Sequence, residues 1–532
     1  MRDHDLISCL ERTRSVPHTG KTPQVLSCTF SASCGHLLIF EQQRGASAFN
    51  MITHRVLLKP AAIRSAAFGK ERAMTPITGD DIRALVRPGR VHRRIYSDPE
   101  IFELELEKIF GTAWIYVGHE SQIKSPGDFL ATRIGRKPLL LVRDAEGRVQ
   151  LLHNQCAHRG SMVVASNGGH TSEFRCCYHG WTYHLDGRLK AAPLLHGYPA
   201  HFDPGNPEFA MQRVPRVASY RGFVFGSLAA HGPSLEEHLG FMTTSLDDMV
   251  DRAPDGELEA AGGVFKHTYK GNWKLYLENL CDAAHPLFTH QSSIDAARAQ
   301  PDDAHSDGSG EIAIRQMRQN GAPYSFWEEN VGIWTYPNGH SFLGDYHDDA
   351  KLVAALNDPV FRDYIAAMEA KHGKEKTRKV LEVRRWNSNV YPNLSFMSQF
   401  QQLRVVHPIS VNETVVHTYA FRLKGAPARM FESTISFANI VNGTGSLVLT
   451  DDLEIYTRIG LGLSSAGSEW LEIGRGYAGD LPAEHGGRRG KNSTSEVYIR
   501  NMFDAWLGYM TADGGAAPVR VPAPRALAEM RQ

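Results

Sequence analysis

The chain has 532 residues, 42% hydrophobic and 22% charged, enough for roughly three average domains with a large core. Lys plus Arg and Asp plus Glu balance at 58 each, so charge gives no reason to expect a nucleic-acid or anionic-membrane partner. Seven cysteines make no disulfide framework at this length, no run reaches the roughly 18 apolar residues of a membrane span, and no apolar stretch closely follows a basic start. The expectation is a cytoplasmic protein whose thiols stay reduced.

Residues 1–75 show no sustained periodicity and read as a poorly ordered N-terminal extension. Regular patterning starts beyond them. Ser97-Asp98-Pro99-Glu100 is a helix start: a capping residue, proline in the first turn, then an acid that suits the helix dipole. Ala113–Val117 reads as a strand, with Trp114 and Tyr116 on one face. The apolar runs Pro138–Val142 and Val149–Leu152 flank a turn at Asp144–Gly147, and a further turn falls at Asp186-Gly187. Strands continue towards Tyr220–Gly226. Residues 233–255 turn helical and polar, marking a domain boundary. Phe265–Tyr269 alternates as a strand, and Gly271–Lys274 opens a helix. Residues 301–325, rich in Asp, Ser, Gly and Gln, read as a mobile loop; 351–379 reads as helix. Arg385–Leu423 carries strands of an antiparallel sheet, Phe431–Asn442 and Asp451–Leu463 read as helices, and the Gly/Ala/Pro-rich end as a tail.

Two stretches carry chemistry. In the first, Cys156-x-His158 is followed at a distance by Cys176-x-x-His179. Two thiolates and two imidazoles, mixed within each pair, suit a [2Fe–2S] cluster with two Cys on one iron and two His on the other. Structural zinc takes the same ligand types and is the competing reading. The second stretch is NWKLYLENLCDAAHPLFTH, Asn272 to His290, which holds Asp282, His285 and His290. On a regular helix Asp282 and His285 would lie roughly 60° apart in azimuth and share a face. Pro286 breaks the helix and lets His290 return towards His285. Two His and a carboxylate with open positions are the set used for non-haem iron and O₂.

CAHRG followed by CCYHGWTY resembles the Rieske motif of aromatic-ring-hydroxylating dioxygenases, large (alpha) subunit, except that Cys177 stands where the family usually has Pro. The Asn272–His290 stretch resembles the same family's second signature, and Thr450-Asp451-Asp452-Leu453-Glu454 its late acidic motif. The resemblance spans about residue 85 to at least 460, Tyr391-Pro392-Asn393 included; the wording Trp114–Ile123 is most similar to benzoate and aromatic-carboxylate enzymes.

The resemblance implies an α+β protein. An N-terminal helical segment over 76–115 precedes an all-β Rieske domain over 116–230 and an α+β catalytic domain over 231–515, with an antiparallel sheet flanked by helices and a tail over 516–532. It implies Cys156, His158, Cys176 and His179 as [2Fe–2S] ligands, with Cys176 rather than Cys177 chosen by the spacing to His179. It implies His285, His290 and Asp452 as ligands of a mononuclear Fe(II), and Asp282 as a bridge for electrons from the cluster of a neighbouring subunit. Thr450-Asp451-Asp452 with Glu454 also reads as a helix cap and capping box. The implied reaction adds O₂ to an aromatic substrate, as a cis-dihydrodiol. Same-fold monooxygenation or O-demethylation, and electron transfer without catalytic iron, are the alternatives.

The chain has no Gly-x-Gly-x-x-Gly dinucleotide fingerprint and no plant-type ferredoxin motif. NAD(P)H is therefore expected to act through a partner reductase, with or without a ferredoxin. The resemblance further implies an α3 or α3β3 assembly with a small beta subunit. Substrate contacts are expected from 279–288, 386–400 and the 301–325 loop, with Arg385 or Arg404 facing a substrate carboxylate.

Overall fold

The computed structural model describes residues 27–30, 37–40, 77–301, 311–345, 359–446, 448–465 and 467–512. Contacts divide the chain at Thr75/Pro76. Ahead of that division the strands Ser27–Phe30 and Leu37–Phe40 pair antiparallel, which the unpatterned composition did not announce. The expected tail over 516–532 lies outside the described residues.

From Pro76 onward the helix Pro99–Lys108 starts as expected. Asp98 Oδ1 accepts from the Glu100 amide at 2.9 Å, and Pro99 occupies the first turn. The strand Ile115–His119 follows. Its alternation divides two cores: Trp114 and Tyr116 pack with Phe223 and Phe225, while Ile115 and Val117 join the core around Trp273.

Three small sheets build an all-β module. Val149–His153, Lys137–Arg143, Asp128–Ile134 and Gly168–His170 form one, in that order. Phe174–Arg175, Thr182–Tyr183 and Leu189–Ala191 form the second. Arg216–Tyr220, Phe223–Ser227 and Ile115–His119 form the third. Helices Leu235–Leu239 and Thr243–Asp251 then lead into a nine-stranded antiparallel sheet. This sheet begins with Leu258–Tyr269 and Glu413–Leu423 at one edge and reaches Arg488–Arg489 and Leu481–Pro482 at the other. The fold is thus α+β, with helices against a large antiparallel sheet.

Residues expected as a loop over 301–325 include two helices, Glu311–Asn320 and Tyr324–Asn330. The apolar residues Ile314 and Met317, three apart, carry the helical spacing that the polar composition around them obscured. Residues 302–310 lie outside the described residues.

A buried carboxylate ties the site to the rest of the molecule. Glu105, on Pro99–Lys108, accepts from Lys274 Nζ at 2.6 Å, Trp506 Nε1 at 2.7 Å and Trp273 Nε1 at 2.7 Å. Glu105, Lys274, Trp273 and Trp506 are all fully buried. Three elements distant in sequence therefore meet at one charge-assisted knot. Asn393 adds a second tie: it accepts from the Tyr116 amide and donates to the Tyr116 carbonyl, both at 3.0 Å.

Candidate active site: two metal-binding constellations

The sulfur- and imidazole-bearing loops are built alike. The Cys156 amide donates to Ser161 O and the Gly160 amide to Cys156 O; the Cys176 amide donates to Trp181 O and the Gly180 amide to Cys176 O. Each turn closes on a glycine of positive φ, Gly160 at 75° and Gly180 at 72°. Asn154 pins the first loop, accepting from the Val163 and Val164 amides.

The loops deliver two buried thiols and two half-buried imidazoles. Cys156 and Cys176 are 2% and 3% exposed, whereas Cys177 is exposed. The rings of His158 and His179 lie 4.6 Å apart, and His158 stacks on Trp181. Burial raises both buried thiols. At Cys176 the amides of Tyr178 and His179, with Cys156 and Ser161, outweigh it and leave that thiol below its ordinary value. Tyr183 Oη lies 3.1 Å from Cys156 Sγ. Sulfur facing hydrogen-bond donors is the setting that stabilises a ligating thiolate.

The quartet does not close around one ion. Among the described residues, the group whose donor atoms all lie within 4.8 Å of one another is His285, His290 and Asp452. Four ligands of a single zinc ion would be packed at that scale. The wider spacing suits a two-iron cluster. His158 Nδ1, buried and without a hydrogen-bond partner, leaves an imidazole nitrogen for it.

The second constellation sits where a helix breaks. Lys274–Leu280 ends with Cys281 in a non-helical conformation. Asp282 to His285 is irregular, and Pro286–Thr289 and Gln291–Arg298 follow as separate helices. The expected common helical face for Asp282 and His285 is therefore corrected: a loop brings them together, with His285 Nδ1 3.8 Å from Asp282 Oδ2. His290, at the junction of the two short helices, faces back as Pro286 suggested, its ring 5.3 Å from that of His285.

Asp452 arrives from Leu449–Ser464. Its Oδ1 lies 3.7 Å from His285 Nε2 and 3.5 Å from His290 Nε2, and accepts from Asn279 Nδ2 at 3.0 Å. The capping reading of Thr450-Asp451-Asp452 is also corrected. These residues lie inside the first turn, Ser446 Oγ accepts from the Val448 and Leu449 amides, and Glu454 pairs with Arg458. Asp452 is thus free to face the histidines.

Burial pushes His290 down to about 3, helped by His285, and lifts Asp452 to about 6. A neutral imidazole is what a metal needs. Each histidine has a carboxylate behind Nδ1: Asp282 for His285, and Asp451 for His290 at 3.6 Å. Both Nδ1 atoms are buried and lack a hydrogen-bond partner. The donor chemistry fits an oxophilic iron site. Asn279 and Asp451 were not assigned these contacts from the sequence, although both flank the residues that were.

Asp282 also faces outward. It accepts from the Ala284 amide at 2.7 Å and lies 3.4 Å from Arg475 Nη2, with its side chain 22% exposed. A cavity open to solvent adjoins the three donors. Trp386, Leu343, Phe437 and Val441 give it apolar walls. The expected contributions from 279–288 and 386–400 are present. Gln316, Met317 and Asn320 line it from a helix rather than from the expected loop. Of the two arginines, Arg404 lines the cavity; Arg385 is committed to Thr244 and Ser245 and sits over the Phe342 ring.

Fold and donor sets together define a two-centre metalloprotein, with an iron–sulfur module and a mononuclear site on one chain. Residues 113–210 match the Rieske [2Fe-2S] domain, and residues 254–512 the catalytic domain of the ring-hydroxylating alpha subunits. The chain belongs to the Rieske non-haem iron ring-hydroxylating dioxygenases, as a large (alpha) subunit.

It is 34% identical to the anthranilate 1,2-dioxygenase large subunit of Acinetobacter baylyi, over 73% of this chain and 80% of that protein. It is 34% identical to the toluate 1,2-dioxygenase alpha subunit of Pseudomonas putida, over 72% and 81% respectively. Naphthalene 1,2-dioxygenase with indole in its active site superposes with a TM-score of 0.67 at 25% identity, over 80% of this chain and 94% of that one. The family implies a [2Fe–2S] cluster and a mononuclear iron, and alpha subunits of this kind work with a reductase and usually a beta subunit in oligomers. No helix among the described residues is long and apolar enough to cross a membrane.

Proposed function

We propose that this chain is the large subunit of a dioxygenase that adds both oxygen atoms to the ring of an aromatic carboxylate. The observation that carries the reading is the closed His285, His290, Asp452 group beside an apolar cavity, on the same chain as the Cys156, His158, Cys176, His179 quartet. Relatives named for anthranilate, toluate and 2-halobenzoate support the substrate class.

In this reading the quartet holds the [2Fe–2S] cluster within a domain over 116–230, and His285, His290 and Asp452 hold iron within one over 231–515. When bound, the iron supplies O₂ activation and the cluster supplies single electrons. Asp282 and Asp451 stand behind the Nδ1 atoms of His285 and His290, at 3.8 and 3.6 Å, and their charge favours the proton on Nδ1, which leaves both Nε2 lone pairs for the metal. Asn279 fixes the Asp452 carboxylate. The apolar walls from Trp386, Leu343, Phe437 and Val441 limit water and set the ring.

Asp282, reachable from outside and in contact with His285, is the entry for electrons from the cluster of an adjacent subunit, through His179 of that subunit. That route requires a ring assembly, α3 or α3β3. Electrons come from NAD(P)H through a separate reductase, with or without a ferredoxin. The cytoplasm is the compartment that keeps Cys156 and Cys176 reduced.

The test is co-expression with a compatible reductase and a panel of aromatic acids and hydrocarbons, with products identified under labelled O₂. Two labelled atoms in a diol of an aromatic acid are expected. One labelled atom, or formation of a demethylated product, would replace dioxygenation by the same-fold alternative.

A further inference from the structure

Arg404 lies on the inner strand Gln402–Ser410 and is 5% exposed. Its guanidinium donates to two neutral acceptors, Asn387 Oδ1 at 2.8 Å and Met397 Sδ at 2.7 Å. No carboxylate forms an ion pair with it among the described residues. Asp452 lies within electrostatic range but is engaged by His285, His290 and Asn279. Burying an unpaired cation is costly, and proteins normally supply a counter-ion. Arg404 instead opens onto the cavity that holds the metal donors.

A second orphan group lines the same cavity. Tyr456 Oη is buried and makes no hydrogen bond. It lies within electrostatic range of Arg404. A cation short of an anion and a hydroxyl short of an acceptor thus line one cavity, which Trp386, Leu343 and Phe437 also wall. A planar carboxylate satisfies both: the guanidinium fork supplies charge-assisted donors, and the phenol one more. A bare hydrocarbon would satisfy neither.

We infer that Arg404 and Tyr456 form the subsite for the substrate carboxylate and so determine the enzyme's specificity for aromatic acids. The inference rests on the aromatic-carboxylate reading above. Trp386 and Leu343 would then flank the ring. Substitution by lysine would keep the charge but lose the fork.

The test is equilibrium binding of benzoate, benzamide and toluene to the purified holoprotein, compared with Arg404→Gln, Arg404→Lys and Tyr456→Phe. Cluster absorption and iron content report correct folding of each. Wild type is expected to prefer benzoate over benzamide by about 100-fold, and Arg404→Gln to lose nearly all of that ratio. Tyr456→Phe should lose about 10-fold, and Arg404→Lys should fall between wild type and Arg404→Gln. A folded Arg404→Gln that keeps the preference overturns the subsite. If Arg404→Gln does not fold, unchanged ratios in both other variants overturn it equally. A wild type that prefers toluene and benzamide to benzoate instead overturns the aromatic-carboxylate reading, and the subsite with it.

Discussion

At the scale of residues, the two adjacent cysteines make the sharpest contrast. Cys176 is buried beside Cys156, while Cys177 is exposed. Cys176→Ser should therefore abolish the visible absorption of the cluster, and Cys177→Ser should leave it intact. Loss of the cluster in Cys177→Ser alone would reverse the ligand assignment. The sequence already carried the donor types here, because metal chemistry restricts them to a few residues at short spacings. It did not carry the orphan atoms. Nothing in the letters distinguishes Arg404, unpaired in a cavity, from Arg385, bonded to Thr244; only packing does.

At the scale of elements, the site depends on where helices stop. Pro286 announced a break, yet Lys274–Leu280 already ends at Cys281, and that earlier stop frees Asp282. Local patterning could not place it, because the holding contacts come from far along the chain: Asn389 Nδ2 donates to Leu277 O, and Tyr498 Oη to Glu278 O. Strand alternation and turn residues, by contrast, depend on neighbours, so the sheet between Arg385 and Leu423 was readable.

The Glu105 knot makes a stability prediction. Glu105→Leu strands the fully buried Lys274 ammonium and should cost about 3–5 kcal/mol in denaturant unfolding. Adding Lys274→Met should recover much of that loss; no recovery would mean that Glu105 acts through its tryptophan contacts alone.

Glu278, on the same helix as Lys274, tests the sign of a half-buried carboxyl's contribution. Burial lifts its carboxyl to about 7, with the Tyr96 hydroxyl and Lys274 opposing. The folded state therefore holds a proton that the unfolded state has already released. Stability should fall as pH rises through the window between the ordinary value of 4.5 and about 7. Glu278→Gln should flatten that slope in pH-dependent thermal unfolding, and an unchanged slope would place its origin elsewhere.

At the scale of the whole molecule, the chain takes electrons in one domain and uses them in another. In the proposed route Asp282 carries the link. Asp282→Asn should preserve cluster absorption and iron content while slowing electron delivery to the iron site by roughly 10- to 100-fold in single turnover. Unchanged single-turnover rates would remove Asp282 from the route.

The central claim is that the chain holds two independent metal centres, and iron counting with electron paramagnetic resonance tests it most directly. Wild type reconstituted anaerobically should bind about three irons per chain, two of them in the Rieske cluster. In Asp452→Ala the count should drop to about two, with the reduced-cluster signal unchanged. Full iron content in Asp452→Ala, or simultaneous loss of the cluster signal, would contradict the assignment.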